Sequence, residues 1–461
     1  ARQYGPASTF YLGGEPVFLF TRPQVIRHAL VEAPNTFHLR PVMQSIRYLL
    51  GEVLIPIDGF SPSRGIKSCC GCMQPEGLLG TDGQVHDQLR KKVGFAFGRD
   101  HLEAYQQVML EFTQRTVDGW RLGTRIELTE ESRRLTVQIV AKVLFGLDLD
   151  QQTDQLIRAM IYLGNFATNP VLPWDELPLN WPFTAYGRYQ RNMQVVRDTV
   201  DTVVERARAN GRAASRVGDF VSALVSDGSP DSLTDEQIKA EVFLMLDAGQ
   251  LNTSGSLTWT LYLLSEHSQV RRALLDEIYA VLGPSGQPSV ESLPHLKYLD
   301  LVIKESMRLY PPNWAMARQA MDDVELEGYR LPAGSFVTFS QWVTHHLPDL
   351  FPDPHRFWPE RFDPDAGDGH PSAAYFPFGA GSHGCIGGGY ATQQLKLVLP
   401  TILRRFTPRL VPGHRVEPDT RSMALHPRYG MPMLLEPAEV PTSSVWRGFT
   451  TTTEFANQRQ A

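Results

Sequence analysis

Phe378-Gly379-Ala380-Gly381-Ser382-His383-Gly384-Cys385-Ile386-Gly387 sets one cysteine in a glycine-rich turn, with an imidazole two residues before it and a helix-like run just after it. That is how a thiolate would be presented to a metal. Thiolate is the ligating form of cysteine, and its pKa falls when amide N–H groups and the positive end of a helix dipole point at the sulfur. Gly381, Gly384 and Gly387 let the backbone come close enough to supply those amides. A buried structural cysteine is the plain alternative, since many lone cysteines are small core residues. Six specified positions in ten argue against coincidence.

The segment resembles the haem-binding signature FGxGxHxCxG of the cytochrome P-450 family. The resemblance implies haem b as cofactor and Cys385 as its axial iron ligand, with Phe378, Gly379 and Gly387 shaping the turn. Three other stretches carry the same likeness. Glu305 and Arg308 stand three apart in a helical pattern stopped by Pro311, so they share a helix face. Alone, such a pair is usually a solvated ion pair of little worth. It resembles the family's ExxR motif, which implies that Arg361, in Phe-Trp-Pro-Glu-Arg-Phe, closes a buried network bracing the loop before Cys385. Gly83-Gln-Val-His86-Asp-Gln-Leu-Arg90 is similar to the family's GxxHxxxR helix, whose imidazole and guanidinium suit two haem propionates. By the same resemblance Arg318 and His383 contact propionates too.

Thr234-Asp-Glu-Gln237 reads as a capping box, and the apolar pattern after it runs to about Ser265, about 30 residues or roughly 45 Å. This helix resembles the family's central helix across the distal haem face, with Ala248-Gly249 and Thr253-Ser254 on its AGxDTT segment. In the family the small Ala-Gly pair lets the ring and dioxygen approach, and an acid then an alcohol relay protons. Here Leu251 replaces the acid and Asn252 the alcohol, leaving Thr253 as the nearest hydroxyl. General acid–base assistance is worth about 10² to 10⁴-fold, so the change should matter. Asn252 either positions a water that delivers protons, its amide being both donor and acceptor, or the enzyme uses peroxide, or rearranges a substrate without dioxygen.

The likeness runs from about Tyr4 to about Pro437 and implies a mainly α fold with small β-sheets, the haem lying between the long distal helix and a Cys-bearing proximal helix. The expected organisation is one catalytic domain over residues 1–438, with a polar, disordered tail over 439–461. The opening at Tyr4-Gly5-Pro6, just before the first strands, suggests a missing N-terminal stretch. Strands are expected at Thr9–Gly13, Val17–Thr21 and between Val324 and Val337; helical periodicity covers Leu102–Leu147 and Tyr186–Asn210. A net charge of −6 with 20% charged residues gives no sign of nucleic-acid binding. Four cysteines are too few for a disulfide framework and suit a reducing compartment. No apolar run reaches the roughly 18 to 20 residues of a membrane span, so a cytoplasmic location is expected, with membrane association left open by the N-terminus.

The resemblance further implies O₂ as co-substrate and electrons from a ferredoxin, flavodoxin or flavoprotein reductase, for no flavin or nicotinamide motif is present. Arg90, Lys91, Lys92, Lys396, Arg404 and Arg405 are candidates for steering such an acidic partner. Phe166, Trp174, Trp181 and Phe183, with Asn313-Trp314-Ala315-Met316, suggest a pocket for an apolar small molecule: a fatty acid, terpenoid or steroid. The expected activity is therefore a monooxygenase; a peroxygenase or isomerase, and a non-catalytic haem sensor or carrier, are the alternatives. Val53 to Glu76 fits nothing in the family. It carries Cys69, Cys70 and Cys72, which do not complete a tetrahedral metal set, and reads as a loop near the pocket entrance.

Overall fold

The computed structural model describes residues 5–12, 15–39, 77–149, 153–168, 184–211, 215–365, 373–420 and 424–439. The 53–76 insert with its three cysteines, residues 440–461, and Trp174, Trp181 and Phe183 lie outside them, as does the side chain of Phe166. Helices dominate. Those that frame the site are α1 (Gly83–Gly94), α2 (Arg99–Asp118), α3 (Leu128–Phe145), α4 (Asp235–Glu266), α5 (Lys297–Leu309) and α6 (Gly388–Leu403).

α4 is 32 residues long and begins with both halves of the capping box: Gln237 N–H donates to Thr234 Oγ1 at 3.2 Å, and Thr234 N–H donates to Gln237 Oε1 at 2.9 Å. Its middle is buried on most sides, and the small polar residues there, Ser254, Ser256, Thr258 and Thr260, donate their hydroxyls to carbonyls of the helix itself. Trp259 on α4 is fully buried, stacks on Tyr310 with ring centroids 3.9 Å apart, and donates its indole N–H to Leu425 C=O at 2.8 Å. These contacts make α4 the axis of the core.

The main sheet has five strands: β1 (Ala7–Leu12), β2 (Glu15–Phe20), β3 (Phe37–His38), β4 (Met316–Ala320) and β5 (Phe336–Phe339), in the order β1-β2-β5-β4-β3. β2 runs parallel to β5, with Val17 opposite Phe336, and the other pairs are antiparallel. Strands Val324–Leu326 and Tyr329–Leu331 form a separate hairpin.

The periodicity from Leu102 to Leu147 is not one helix. α2 ends at Asp118, Gly123 takes φ 74°, and a strand Arg125–Glu127 intervenes before α3. That strand pairs with Pro432–Leu434, and Leu128 N–H donates to Met431 C=O at 3.0 Å, so a partner some 300 residues on overrides the local pattern. Glu439, expected in the tail, is held in the domain by Arg271 at 2.7 Å and Arg409 at 2.8 Å. Cys385 is not on a helix. It lies in the loop ahead of α6, which starts at Gly388. Among the described residues no helix is long and apolar enough to cross a membrane.

Candidate active site

The turn carrying Cys385 is tied down by its backbone. Gly379 and Gly381 take φ 69° and 70°, a region that favours glycine. A Cβ on Gly381 would collide with the carbonyl oxygen of Leu30, so only glycine fits there. Cys385 N–H donates to Phe378 C=O at 2.8 Å, which closes the turn. The thiol is exposed on one side, toward a recess of about 600 Å³ that Phe378, Leu293, Thr392, Gln393 and Lys396 also line. Its pKa is raised, not lowered. Crowding by protein atoms outweighs the Gly387 N–H and the positive charge of Arg90, both of which favour thiolate. The loop by itself thus disfavours the charged sulfur, and stabilisation of a thiolate here would fall to a bound cation.

The expected propionate partners converge at one edge. The rings of His86 and His383 lie 3.9 Å apart, and His383 Nε2 lies 2.9 Å from Asp82 Oδ1, which also accepts Leu39 N–H at 3.0 Å. His383 Nδ1 is buried and has no partner among the described residues. Arg318 is buried, donates to its neighbour Ala317 C=O at 2.8 Å, and has its pKa lowered to about 10 by burial, with Asp82 opposing. Burial and the His383 charge likewise lower the His86 pKa. Arg90 sits half-buried one turn beyond His86 on α1. The buried Arg318 guanidinium and the unpartnered His383 Nδ1 call for acceptors on this edge. The set fits the two carboxylates of haem b.

On α4, Ala248 is exposed while residues 253–261 are all buried. Gly249 is packed so that a Cβ would come within 2.8 Å of Val140 Cγ2 on α3. Asn252 is half-buried and its Oδ1 has no partner among the described residues. Thr253 is 3% exposed, and the structure does not bring it to the accessible face. Ser254 and Ser256 hydroxyls donate to the carbonyls of Leu251 (2.9 Å) and Asn252 (3.0 Å). That leaves the Asn252 amide, one turn beyond Ala248, as the polar side chain on the C-terminal side of this face.

Glu305, Arg308 and Arg361 meet. Glu305 Oε1 accepts from Arg308 Nη2 (2.8 Å), Arg361 Nε (3.0 Å) and Trp358 N–H (2.9 Å), and Oε2 from Arg308 Nε (2.7 Å). Arg308 Nη1 also donates to the carbonyls of His345 (2.7 Å) and Pro354 (2.8 Å). One carboxylate therefore joins α5 to the coil that leads toward the cysteine loop.

A cytochrome P-450 family model matches residues 56–432, most of the chain. The chain belongs to the cytochrome P-450 family. It is 30% identical over 412 residues to the cyclooctat-9-en-7-ol 5-monooxygenase of Streptomyces melanosporofaciens, covering 87% of this chain and 82% of that protein. It is 30% identical over 356 residues to the pentalenene oxygenase of Streptomyces avermitilis, covering 76% and 78%. The fold of the retinoic acid-bound cyanobacterial CYP120A1 superposes with a TM-score of 0.78, at 24% identity, over 95% of this chain and 92% of that one. As a cytochrome P-450 the chain is a haem-dependent oxidoreductase of the monooxygenase type.

Sequence reasoning missed three carboxyl groups of this cytochrome P-450. Asp82, which holds His383, was legible only as the residue before the GxxHxxxR glycine. Asp247 sits one turn ahead of Leu251, outside the family template. Glu241 is fully buried and accepts Leu78 N–H at 2.6 Å through Oε1, while Oε2 has no partner among the described residues. Burial pushes its pKa up to about 7, with the Leu78 bond opposing. A raised carboxyl pKa means that the folded state holds more protons than the unfolded one, so stability falls as pH climbs from the ordinary value of 4.5 to about 7. Glu241→Gln removes that dependence and keeps an acceptor for Leu78. We expect the variant to gain on the wild type by on the order of 3 kcal/mol between pH 5 and pH 8. Parallel melting-temperature profiles of the two proteins across that range would show that the carboxyl titrates normally.

Proposed function

We propose that this cytochrome P-450 inserts one oxygen atom of O₂ into an apolar, terpenoid-like molecule, with electrons from a separate ferredoxin, flavodoxin or flavoprotein reductase. The reading rests above all on the exposed Ala248 in the middle of an otherwise buried helix, combined with the cysteine loop and its cationic edge. In it Cys385 ligates the iron, and His86, Arg90, Arg318 and His383 hold the propionates. Bound haem b supplies activation of dioxygen. The protein's own share is to orient and to move protons. Ala248 keeps side-chain bulk away from the reacting end of the substrate, Gly249 lets the helix pack closely on Val140, and Asn252 Oδ1 accepts a hydrogen bond from a water that passes protons inward. The terpenoid class is suggested by the two Streptomyces relatives, whose names specify terpenoid substrates.

The recess beside Cys385 suits docking of the electron donor. Steering by charge is weaker than the count of basic residues suggests. Lys92 is paired with Asp227 at 2.7 Å, Lys396 with Asp300 at 2.8 Å and Arg405 with Asp118, while Arg404 donates to the carbonyls of Gly283, Pro284 and Gly286. Arg90 and Lys91 remain as the part without a partner among the described residues.

Leu251 favours the second reading, in which peroxide replaces O₂ and electrons. Incubation with sesquiterpenes and diterpenes, a surrogate reductase and ¹⁸O₂ separates the two. One labelled oxygen in the product is expected, and Asn252→Ala should cut product formation about 100-fold while electron consumption continues with release of hydrogen peroxide. Product formed only with added peroxide, without label, would establish the second reading.

A further inference from the structure

Between residues 240 and 261 of α4, every residue is buried except Asp247, Ala248, Gly249, Leu251 and Asn252. At about 100° per residue, Asp247, Leu251, Ala248 and Asn252 fall within one arc of roughly 140°. Asp247 therefore opens on the side of the helix where Ala248 is exposed, while Gly249 and Gln250 turn toward α3, against Val140 and Thr136. Helical side chains lean toward the N-terminus. The Asp247 carboxyl accordingly reaches back toward the level of Leu244, away from Asn252. Its neighbours along this face, Leu244, Ala248 and Leu251, are apolar.

Asp247 has no hydrogen bond or ion pair among the described residues, unlike Glu241 on the same helix, which is engaged by Leu78. Burial alone pushes its pKa up to about 6. A partly buried carboxylate among apolar neighbours with no partner is costly, and a ligand that brings its own donor offsets that cost. A structural carboxyl would be expected to cap a backbone group or pair with a base.

We propose that Asp247 is a specificity-determining residue that accepts a hydrogen bond from an O–H or N–H donor on an otherwise apolar substrate. Resting on the terpenoid reading above, the favoured ligand is a terpenoid alcohol. Skeletons without a donor leave the carboxylate desolvated and bind poorly, so the site selects molecules that an earlier oxygenation or hydration step has already functionalised.

The test uses haem-loaded protein and the ligand-induced shift of the Soret band, which reads binding without turnover. Two matched pairs are titrated: a sesquiterpene and its alcohol, and dodecane and 1-dodecanol. The wild type is expected to prefer the alcohol by about 10- to 100-fold. Asp247→Leu should abolish the preference, and Asp247→Asn, whose amide oxygen still accepts, should keep part of it. Unchanged haem content and melting temperature in both variants establish that the site itself has not collapsed. Dodecylamine tells the donors apart: an ammonium should lose more affinity than the alcohol in Asp247→Asn, which removes the charge. If only the linear pair shows an Asp247-dependent preference, the terpenoid reading fails and the role of Asp247 stands. If neither pair shows one, or if Asp247→Leu retains the wild-type ratio, the proposal is overturned.

Discussion

Cys385→Ala is expected to give a folded protein whose ferrous carbon monoxide complex has lost the red-shifted Soret band of thiolate-bound haem. The fold should survive because the hydrogen bond that closes the turn is made by the backbone: the N–H donates to Phe378 C=O at 2.8 Å, and alanine makes the same bond. Gly379 and Gly381, whose positive φ angles bend the loop, are untouched. The sulfur gives up only its contact with the Gly387 N–H. Haem affinity should nonetheless fall sharply, since the donors at His86, His383 and Arg318 can hold the propionates but contribute no iron ligand. Cys385→Ser separates size from donor chemistry: its volume is close to that of cysteine, yet a neutral hydroxyl does not push electron density as thiolate does. A red-shifted band that persisted in Cys385→Ala would end the ligand assignment. The raised thiol pKa adds a second observable. Reagents that alkylate thiolates should modify the haem-free protein slowly at neutral pH, because the loop by itself disfavours the charged sulfur.

What could be read from the chain was what short-range geometry decides. The cysteine turn, the capping box at Thr234 and the shared face of Glu305 and Arg308 all depend on residues within ten positions of one another, and spacing alone suffices to place them. Arg361 lies 56 residues from Glu305, and only the family resemblance linked them; spacing could not. The strand Arg125–Glu127 was invisible for a stronger reason: its pairing partner is Pro432–Leu434, and the intervening helical pattern is good enough to hide it. The thiol pKa was misjudged because local sequence shows amides and helix dipoles but not desolvation, and here desolvation is the largest effect. Asp247 was overlooked because the template for this helix begins at Ala248, whereas the accessible window begins one residue earlier. The basic residues flanking the cysteine loop showed charge in the sequence but not their partners Asp227, Asp300 and Asp118, each more than 90 residues away.

Glu305→Ala should be the most damaging single change in the molecule. Glu305 and Arg308 are fully buried and the Arg361 side chain nearly so. Removal of the carboxylate leaves two guanidinium groups without their counter-charge, and breaking a buried pair in this way typically costs about 3 to 5 kcal/mol. Burial already lowers the Arg361 pKa, and Glu305 opposes that effect. The damage would spread along a defined route. Arg308 is oriented by Glu305 to reach the carbonyls of His345 and Pro354, and Trp358 N–H is bound directly to Oε1; without the carboxylate, the coil that leads toward the cysteine loop keeps only the Tyr298–Glu360 and Tyr375–Lys304 hydrogen bonds to α5 among these links. Against a typical total stability of about 5 to 15 kcal/mol, that loss is enough to leave much of the protein unfolded at growth temperature. The expected result is little or no haem incorporated on expression. Glu305→Gln gives the graded comparison. Its Oε1 can keep the bonds from Arg308 Nη2, Arg361 and Trp358, but its amide nitrogen replaces the Oε2 that accepts Arg308 Nε–H, setting donor against donor. It should retain haem but unfold at lower temperature and lose haem faster. Equal haem content and melting temperature in all three proteins would show that the network is dispensable, and that some other contact anchors the loop.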